Sequence, residues 1–226
     1  THFPHCETAN SYGQTECSPV ATALCAEDHS DQGPHGCKIG SIGKPVTYSQ
    51  VKVMNPKGTP CSIGEVGELW ISGPHVMLGY WGKSKETADT LKDGWLRSGD
   101  LGYIDHDGYF YLVDRMKDML ISGGENVYSV EVEEQIAQHS AVQGCAVIGV
   151  PDLDLGERVH AVIHVREGKY LSLEELQRHC RVRLAGYKIP RSLTIYTSSL
   201  PLTAANKVDK KALRKQLVDT IEHQQK

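Results

Sequence analysis

No stretch of this 226-residue chain is long and apolar enough to cross a bilayer, and no basic-then-apolar leader opens it. The common phosphate cradles are missing too. Gly43-Lys44 and Gly82-Lys83 lack the upstream glycine of G-x-x-x-x-G-K-[ST], and there is no G-x-G-x-x-G. Any nucleotide bound here is held in another way. The seven cysteines, Cys6, Cys17, Cys25, Cys37, Cys61, Cys145 and Cys180, are odd in number and irregular in spacing, with no C-x-x-C. That argues against a disulfide framework or a zinc site and for free thiols in a reducing cytoplasm. The histidines are scattered, none makes H-x-x-x-H on a helical pattern, and His2, His5 and Cys6 read as a loop. A net charge of −4 argues against nucleic-acid phosphate as the main partner. Repeats and low-complexity runs are absent.

What is present suits one large domain or two modest ones. Asn10 to Glu16, NSYGQTE, is a polar loop with a Tyr-Gly step. A ring there can lie over a flat ligand, Thr15 can offer a hydroxyl to a phosphate, and Glu16 a carboxylate to a metal. Alone, the same residues also fit a turn with a surface tyrosine. From Ile39 the pattern is one of short strands and Gly/Pro turns, as in Val51 to Met54 and Gly67 to Ser72, which suggests a small barrel or sandwich. Val76 to Trp81 is apolar, and its aromatics are expected to pack on that sheet. Lys83 to Leu91 reads as a short helix. Leu101 to Ile104 is expected to pair with Tyr109 to Val113 across a turn ending in Asp107-Gly108. Asp100, just before that hairpin, can accept hydrogen bonds from a diol, or can simply serve a turn.

Val113 to Glu133 stands apart. An Asp-Arg pair ends an apolar strand, Met116-Lys117-Asp118 follows, and a Ser-Gly-Gly-Glu-Asn loop opens into a helix. We read it as a hinge between two bodies with a nucleotide held across it. Beyond it the sequence predicts a helix over 130–139, a buried strand over 144–150, a polar turn over 151–157 and a strand over 159–165. A helix capped by Ser172 is expected to run to about Leu184, then a strand over 193–196 and a final helix capped by Asp209. The predicted fold is mixed. The part after the hinge reads as a small α+β domain of three strands and three helices.

Taken in order, Tyr12-Gly13-Gln14-Thr15-Glu16, Gly67-Glu68-Leu69, Ser98-Gly99-Asp100, Asp114-Arg115, Ser122-Gly123-Gly124-Glu125-Asn126 and Lys207 in a Leu-Pro-Leu-Thr loop resemble the acyl-adenylate-forming superfamily. That superfamily includes acyl-CoA synthetases, peptide-synthetase adenylation domains and firefly luciferase. The resemblance covers essentially the whole chain, and it implies the end of a large nucleotide-binding α/β region (1–34), a barrel-like β subdomain (35–114) and a mobile α+β domain with a three-stranded sheet (115–226). The abrupt start at Thr1 and the match to only the last two-fifths or so of a member suggest a C-terminal fragment, inactive alone.

The resemblance implies ATP (bound as AMP after reaction), Mg²⁺, a carboxylic acid and CoA as ligands, with a carrier protein as an alternative acceptor. It implies that Tyr12 stacks on adenine with Gly13 also in the cofactor site, that Thr15 touches the α-phosphate, that Glu16 helps hold Mg²⁺ and that Asp100 binds the ribose hydroxyls. Arg115 would reach the ribose or phosphate, Lys117 would be the pivot, Gly123 and Gly124 would line the thiol channel, and Lys207 would bridge carboxylate and α-phosphate. Three positions depart from the pattern. Asn206 replaces the usual glycine before the lysine and is expected to keep its left-handed conformation. Lys117 stands where many members have Asp, and Ser98 where Thr is common. The Ser-Gly-Gly-Glu-Asn-Val-Tyr loop favours the acyl-CoA synthetase branch.

Overall fold

The computed structural model describes residues 6–31, 33 and 35–224. The readings placed on Thr1 to His5, and on the last two residues of the polar tail, lie outside the described residues. The chain forms two compact units, Thr1–Met116 and Lys117–Lys226. The mixed α/β character expected from the sequence is present. Among the described residues no helix is long and apolar enough to cross a membrane.

The first unit carries two antiparallel sheets. Strands β1 (Asn10–Tyr12), β2 (Thr22–Leu24) and β3 (Lys44–Pro45) form one. The other contains β4 (Gln50–Met54), β5 (Gly67–Ser72), β6 (Leu91–Lys92), β7 (Trp95–Ile104) and β8 (Phe110–Arg115). Its order is β4-β5-β7-β6, with β8 also on β7. The sheets meet where Ile42 N–H donates to Phe110 O (2.8 Å) and Phe110 N–H to Gly43 O (3.0 Å). The helix α1 (Ser84–Thr90) is the expected one, and among the described residues no α-helix precedes it. The described residues of 1–34 hold strands β1 and β2 and two 3-10 turns.

Alternation along β5 explains its burial on both faces. Leu69 and Ile71 join Tyr12, Val53, Leu96 and Phe110 in the core. Glu68 and Trp70 share the opposite face and are also buried. There Lys52 lies 5.2 Å from the Trp70 ring and 3.7 Å from Trp95, close enough for cation–π attraction. The predicted hairpin forms as expected, with Ile104 opposite Phe110 and Gly108 at φ +84°.

The segment over 76–81 differs from expectation. Val76 and Met77 pack on the core, but Leu78 and Trp81 are fully exposed. Met77 N–H donates to Glu16 O (2.8 Å) and Tyr80 N–H to Thr87 Oγ1 (2.9 Å), so hydrogen bonds help hold this segment while Trp81 stays exposed.

In the second unit, β9 (Leu120–Ser122) and β10 (Glu125–Val127) make a hairpin, followed by α2 (Ser129–Ala137). Then come β11 (Val142–Asp152), β12 (Gly156–Val165), α3 (Leu173–Cys180), β13 (Ser192–Tyr196) and α4 (Lys210–Gln224). The sheet has five strands, in order β10-β9-β12-β11 with β13 parallel to β12, and not the three expected. The two missed strands have three residues each, too few to display a period of two. The long hairpin of β11 and β12 also takes in most of the expected 151–157 turn.

The continuous apolar run Cys145 to Val150 reflects cover on both faces of β11. Val147 packs with Val132 and Ile136 of α2 and Leu176 of α3. Ala146, Ile148 and Val150 pack with Leu213 of α4. Ser172 caps α3 by accepting from Glu175 N–H (3.1 Å), and Asp209 caps α4 by accepting from Ala212 N–H (2.9 Å), as the sequence indicated. The helix α3 stops at Cys180, short of the expected Leu184.

Candidate active site

In the first unit, two of the residues singled out in the sequence, Tyr12 and Arg115, meet on a third, Asp100. Tyr12 Oη–H donates to Asp100 Oδ2 at 2.8 Å, and Arg115 Nε lies 3.4 Å from Oδ1. Asp100 belongs to a bulge. Across β5 and β7, Glu68 faces Leu101 and Trp70 faces Arg97, so Leu69 alone opposes Ser98, Gly99 and Asp100. The extra residues lift out of the β5–β7 ladder, while Asp100 stays paired with Arg115 of β8. Gly99 takes φ +71°, a region glycine enters without steric cost. Gly99 O accepts from Met116 N–H (2.8 Å), and Asp100 N–H donates to Ser98 Oγ (3.0 Å). Tyr12 is buried, with its phenol pushed well above the usual range, first by that burial and then by Asp100. It therefore stays a donor at neutral pH.

Tyr12 ends β1, and Gly13 follows because a Cβ there would sit 1.8 Å from Pro19 O. Of the expected polar loop, Asn10 to Tyr12 is strand β1 and Gly13 to Glu16 begins the connection to β2. Thr15 is exposed in a 3-10 turn, Thr15–Cys17. Glu16 Oε1 accepts from Tyr80 Oη–H at 2.7 Å. Oε2 has no hydrogen-bond partner among the described residues. Glu16 lines a polar cleft of about 390 Å³ with Gln14, Glu68, Tyr80, Asp89, Thr90, Arg97, Ser98 and Gly99. Among the described residues no group of three His, Cys, Asp or Glu could hold a metal by itself. The Glu16 carboxylate, an oxygen donor on the cleft wall, is of the type that would suit a hard cation such as Mg²⁺.

The remaining expected residues belong to the second unit. Lys117 is exposed in the turn that opens it. Gly123 and Gly124 are the two-residue turn of the β9–β10 hairpin, at φ +60° and +86°, as a type I′ turn requires. The Ser-Gly-Gly-Glu-Asn stretch is thus a hairpin tip, not a plain loop. Gly123 N–H donates to Leu155 O (2.9 Å). Lys207 is exposed in a small hairpin closed by pairing of Leu202 with Val208. Thr203 N–H donates to Lys207 O (2.7 Å), and Asn206 holds φ +58°, the left-handed conformation expected of it.

The sequence reading assigned no role to Tyr80 or to Glu68. Their partners Glu16 and Gly99 lie 64 and 31 positions away, beyond any local pattern.

Two family profiles match. The AMP-binding enzyme profile covers residues 1–81, and the AMP-binding enzyme C-terminal domain profile covers 131–207. The chain belongs to the AMP-binding enzyme family. It is 45% identical over 204 residues to a feruloyl-CoA synthase from an Amycolatopsis species, with 90% of this chain and 40% of that protein covered. It is 42% identical to a long-chain-fatty-acid–CoA ligase from Yersinia pestis, covering 90% and 34%. Among solved structures it resembles o-succinylbenzoate CoA synthetase from Bacillus subtilis in complex with its acyl-adenylate intermediate. The TM-score is 0.81 at 37% identity, covering 92% of this chain and 40% of that one. The chain thus spans 40% or less of the length of these relatives.

Proposed function

We propose that this chain forms part of an ATP-dependent carboxylate–CoA ligase, which joins a carboxylic acid to AMP and then passes the acyl group to the CoA thiol. The observation that carries this reading is Asp100. Its carboxylate is fixed between Tyr12 and Arg115 on a bulge whose Ser98 and Gly99 line the cleft that Glu16 also lines. A carboxylate so oriented accepts hydrogen bonds from a vicinal diol, and the ribose of ATP offers one. Tyr12 is assigned to the adenine side with Gly13, and Arg115 to the ribose or phosphate. Thr15 donates its hydroxyl to the α-phosphate.

In the first half-reaction an oxygen of the substrate carboxylate bonds to the α-phosphorus, and the bond to pyrophosphate breaks. Two anions meet, so positive charge must offset the charge in transit. Lys207 supplies a point charge on a flexible stem. Mg²⁺, held by Glu16 and phosphate oxygens, would neutralise further charge on the phosphates. In the second half-reaction the thiolate sulfur bonds to the acyl carbon, and the bond to AMP breaks. Gly123 and Gly124 leave the hairpin tip without side chains, which suits a face along a thiol. Lys117 is assigned the pivot between the two steps.

The relatives are named for aromatic and long-chain acids, which makes carboxylic acids of these kinds the first substrates to try. The test is the complete enzyme with a panel of carboxylic acids, ATP, Mg²⁺ and CoA. CoA-dependent AMP release is expected. AMP release that needs a carrier protein in place of CoA would move the reading to a stand-alone adenylating enzyme. No AMP release with either acceptor would overturn the ligase reading.

A further inference from the structure

Glu68 has a place in this site that its sequence motif does not explain. We propose that Glu68 is a positioning residue that fixes Asp100, and through it the preference for a ribonucleotide over its 2′-deoxy counterpart. The proposal rests on the ligase reading above.

Glu68 is a buried carboxylate with three donors. Its Oε1 accepts from Gly99 N–H (3.2 Å). Its Oε2 accepts from Arg97 Nε–H (3.0 Å) and Trp70 Nε1–H (2.9 Å). Burying a carboxylate is costly unless such partners compensate it, so this set is a specific arrangement and not surface chance. All three donors bear on the bulge. Arg97 is its last paired residue, Gly99 is its centre, and Trp70 is the residue opposite Arg97. Gly99 is therefore gripped from both sides, by Glu68 at its N–H and by Met116 at its carbonyl. Asp100 follows directly, and its backbone position depends on how Gly99 is held. A neighbouring aliphatic residue at 68 would leave the bulge without its acceptor and the guanidinium of Arg97 without its counter-charge.

The consequence is chemical selectivity. A well-placed carboxylate discriminates by leaving an acceptor unsatisfied when a ligand hydroxyl is missing. A carboxylate displaced by a loosened bulge binds both nucleotides poorly and similarly.

Two variants probe the bulge by different routes. Glu68→Gln keeps the shape, but its amide presents a donor to a cluster made of donors. Gly99→Ala leaves Glu68 intact and strains only the backbone, because a Cβ at Gly99 meets nothing within 4 Å. In the complete enzyme, kcat and KM are measured with ATP and with 2′-deoxy-ATP, for both variants and for Asp100→Asn. We expect both bulge variants to cut the ATP to 2′-deoxy-ATP ratio of kcat/KM about tenfold, chiefly through KM for ATP. KM for the carboxylic acid should not change. In the Asp100→Asn background, Glu68→Gln should have no further effect on the ratio, since the two act through one contact. If Asp100→Asn lowers the ratio while both bulge variants leave it alone, the proposal falls and the ligase reading stands. Equal losses with both nucleotides, or additive effects of Glu68→Gln and Asp100→Asn, would reduce Glu68 to a purely structural role and overturn the proposal. Failure of the unaltered enzyme to turn over with either nucleotide would remove the ligase reading and the proposal together.

Discussion

Asp100 is oriented by one neutral donor and one cation, and the two can be separated. Tyr12→Phe removes the hydroxyl and keeps the buried ring. Loss of a hydrogen bond to a charged group is expected to raise KM for ATP about tenfold, with kcat less affected. Steady-state kinetics on the complete enzyme checks this, and an unchanged KM would count against Tyr12 as an orienting donor. At this scale the sequence exposed the chemistry but not the partnerships. Ser98-Gly99-Asp100 and Asp114-Arg115 are compact signals, since a glycine beside a carboxylate marks a backbone that must bend. That Tyr12 would end on Asp100 is a contact across 88 positions, written only in the folding of two strands.

Elements were legible where a cap or turn residue marks their ends. Ser172 and Asp209 start helices, and Gly108 closes the β7–β8 hairpin. The β9–β10 hairpin was not, because its glycine pair looks the same in a loop as in a type I′ turn. Ser172→Ala should cost about 1 kcal/mol of stability in a denaturant melt, the usual worth of such a cap. A second element-scale expectation concerns β12. His160, buried, bonds through Nδ1 to Ser192 Oγ (2.7 Å) and through Nε2 to Thr194 Oγ1 (3.0 Å). Burial, helped by Arg158, pulls its pKa from 6.5 down to about 4. The unfolded chain therefore binds the proton more readily than the folded one. Stability from this group is complete above pH 6.5 and is lost as pH falls toward 4. The loss should be roughly 3 kcal/mol at most. Melts of the wild type and His160→Gln at neutral and acid pH would measure it, with the variant showing the weaker acid dependence.

On the scale of the whole molecule, the assigned chemistry is divided. Asp100, Glu16 and Tyr12 belong to the first unit, Lys207 and the Gly123–Gly124 tip to the second. Removing Lys207 should therefore affect one half-reaction alone. Lys207→Ala in the complete enzyme is expected to abolish acyl-adenylate formation and to spare thioester formation from preformed acyl-AMP. Equal loss of both would count against its assignment. The 226-residue chain by itself is expected to show no CoA-dependent AMP formation. The division between the two compact units, at Met116 and Lys117, falls within Val113 to Glu133, where strand-rich and helix-alternating sequence patterns meet.

The chain has three tryptophans, Trp70, Trp81 and Trp95, and every one falls in the first unit. Indole emission is consequently a private optical channel for that unit. The packed, cation-flanked Trp70 and Trp95 and the solvent-bathed Trp81 should differ in wavelength and in collisional quenching. The second unit is dark in this channel, but its helices dominate the far-ultraviolet circular dichroism. Recording both signals in one titration would separate the unfolding of the two units without a label, and the spacing of the two midpoints would give their difference in resistance directly.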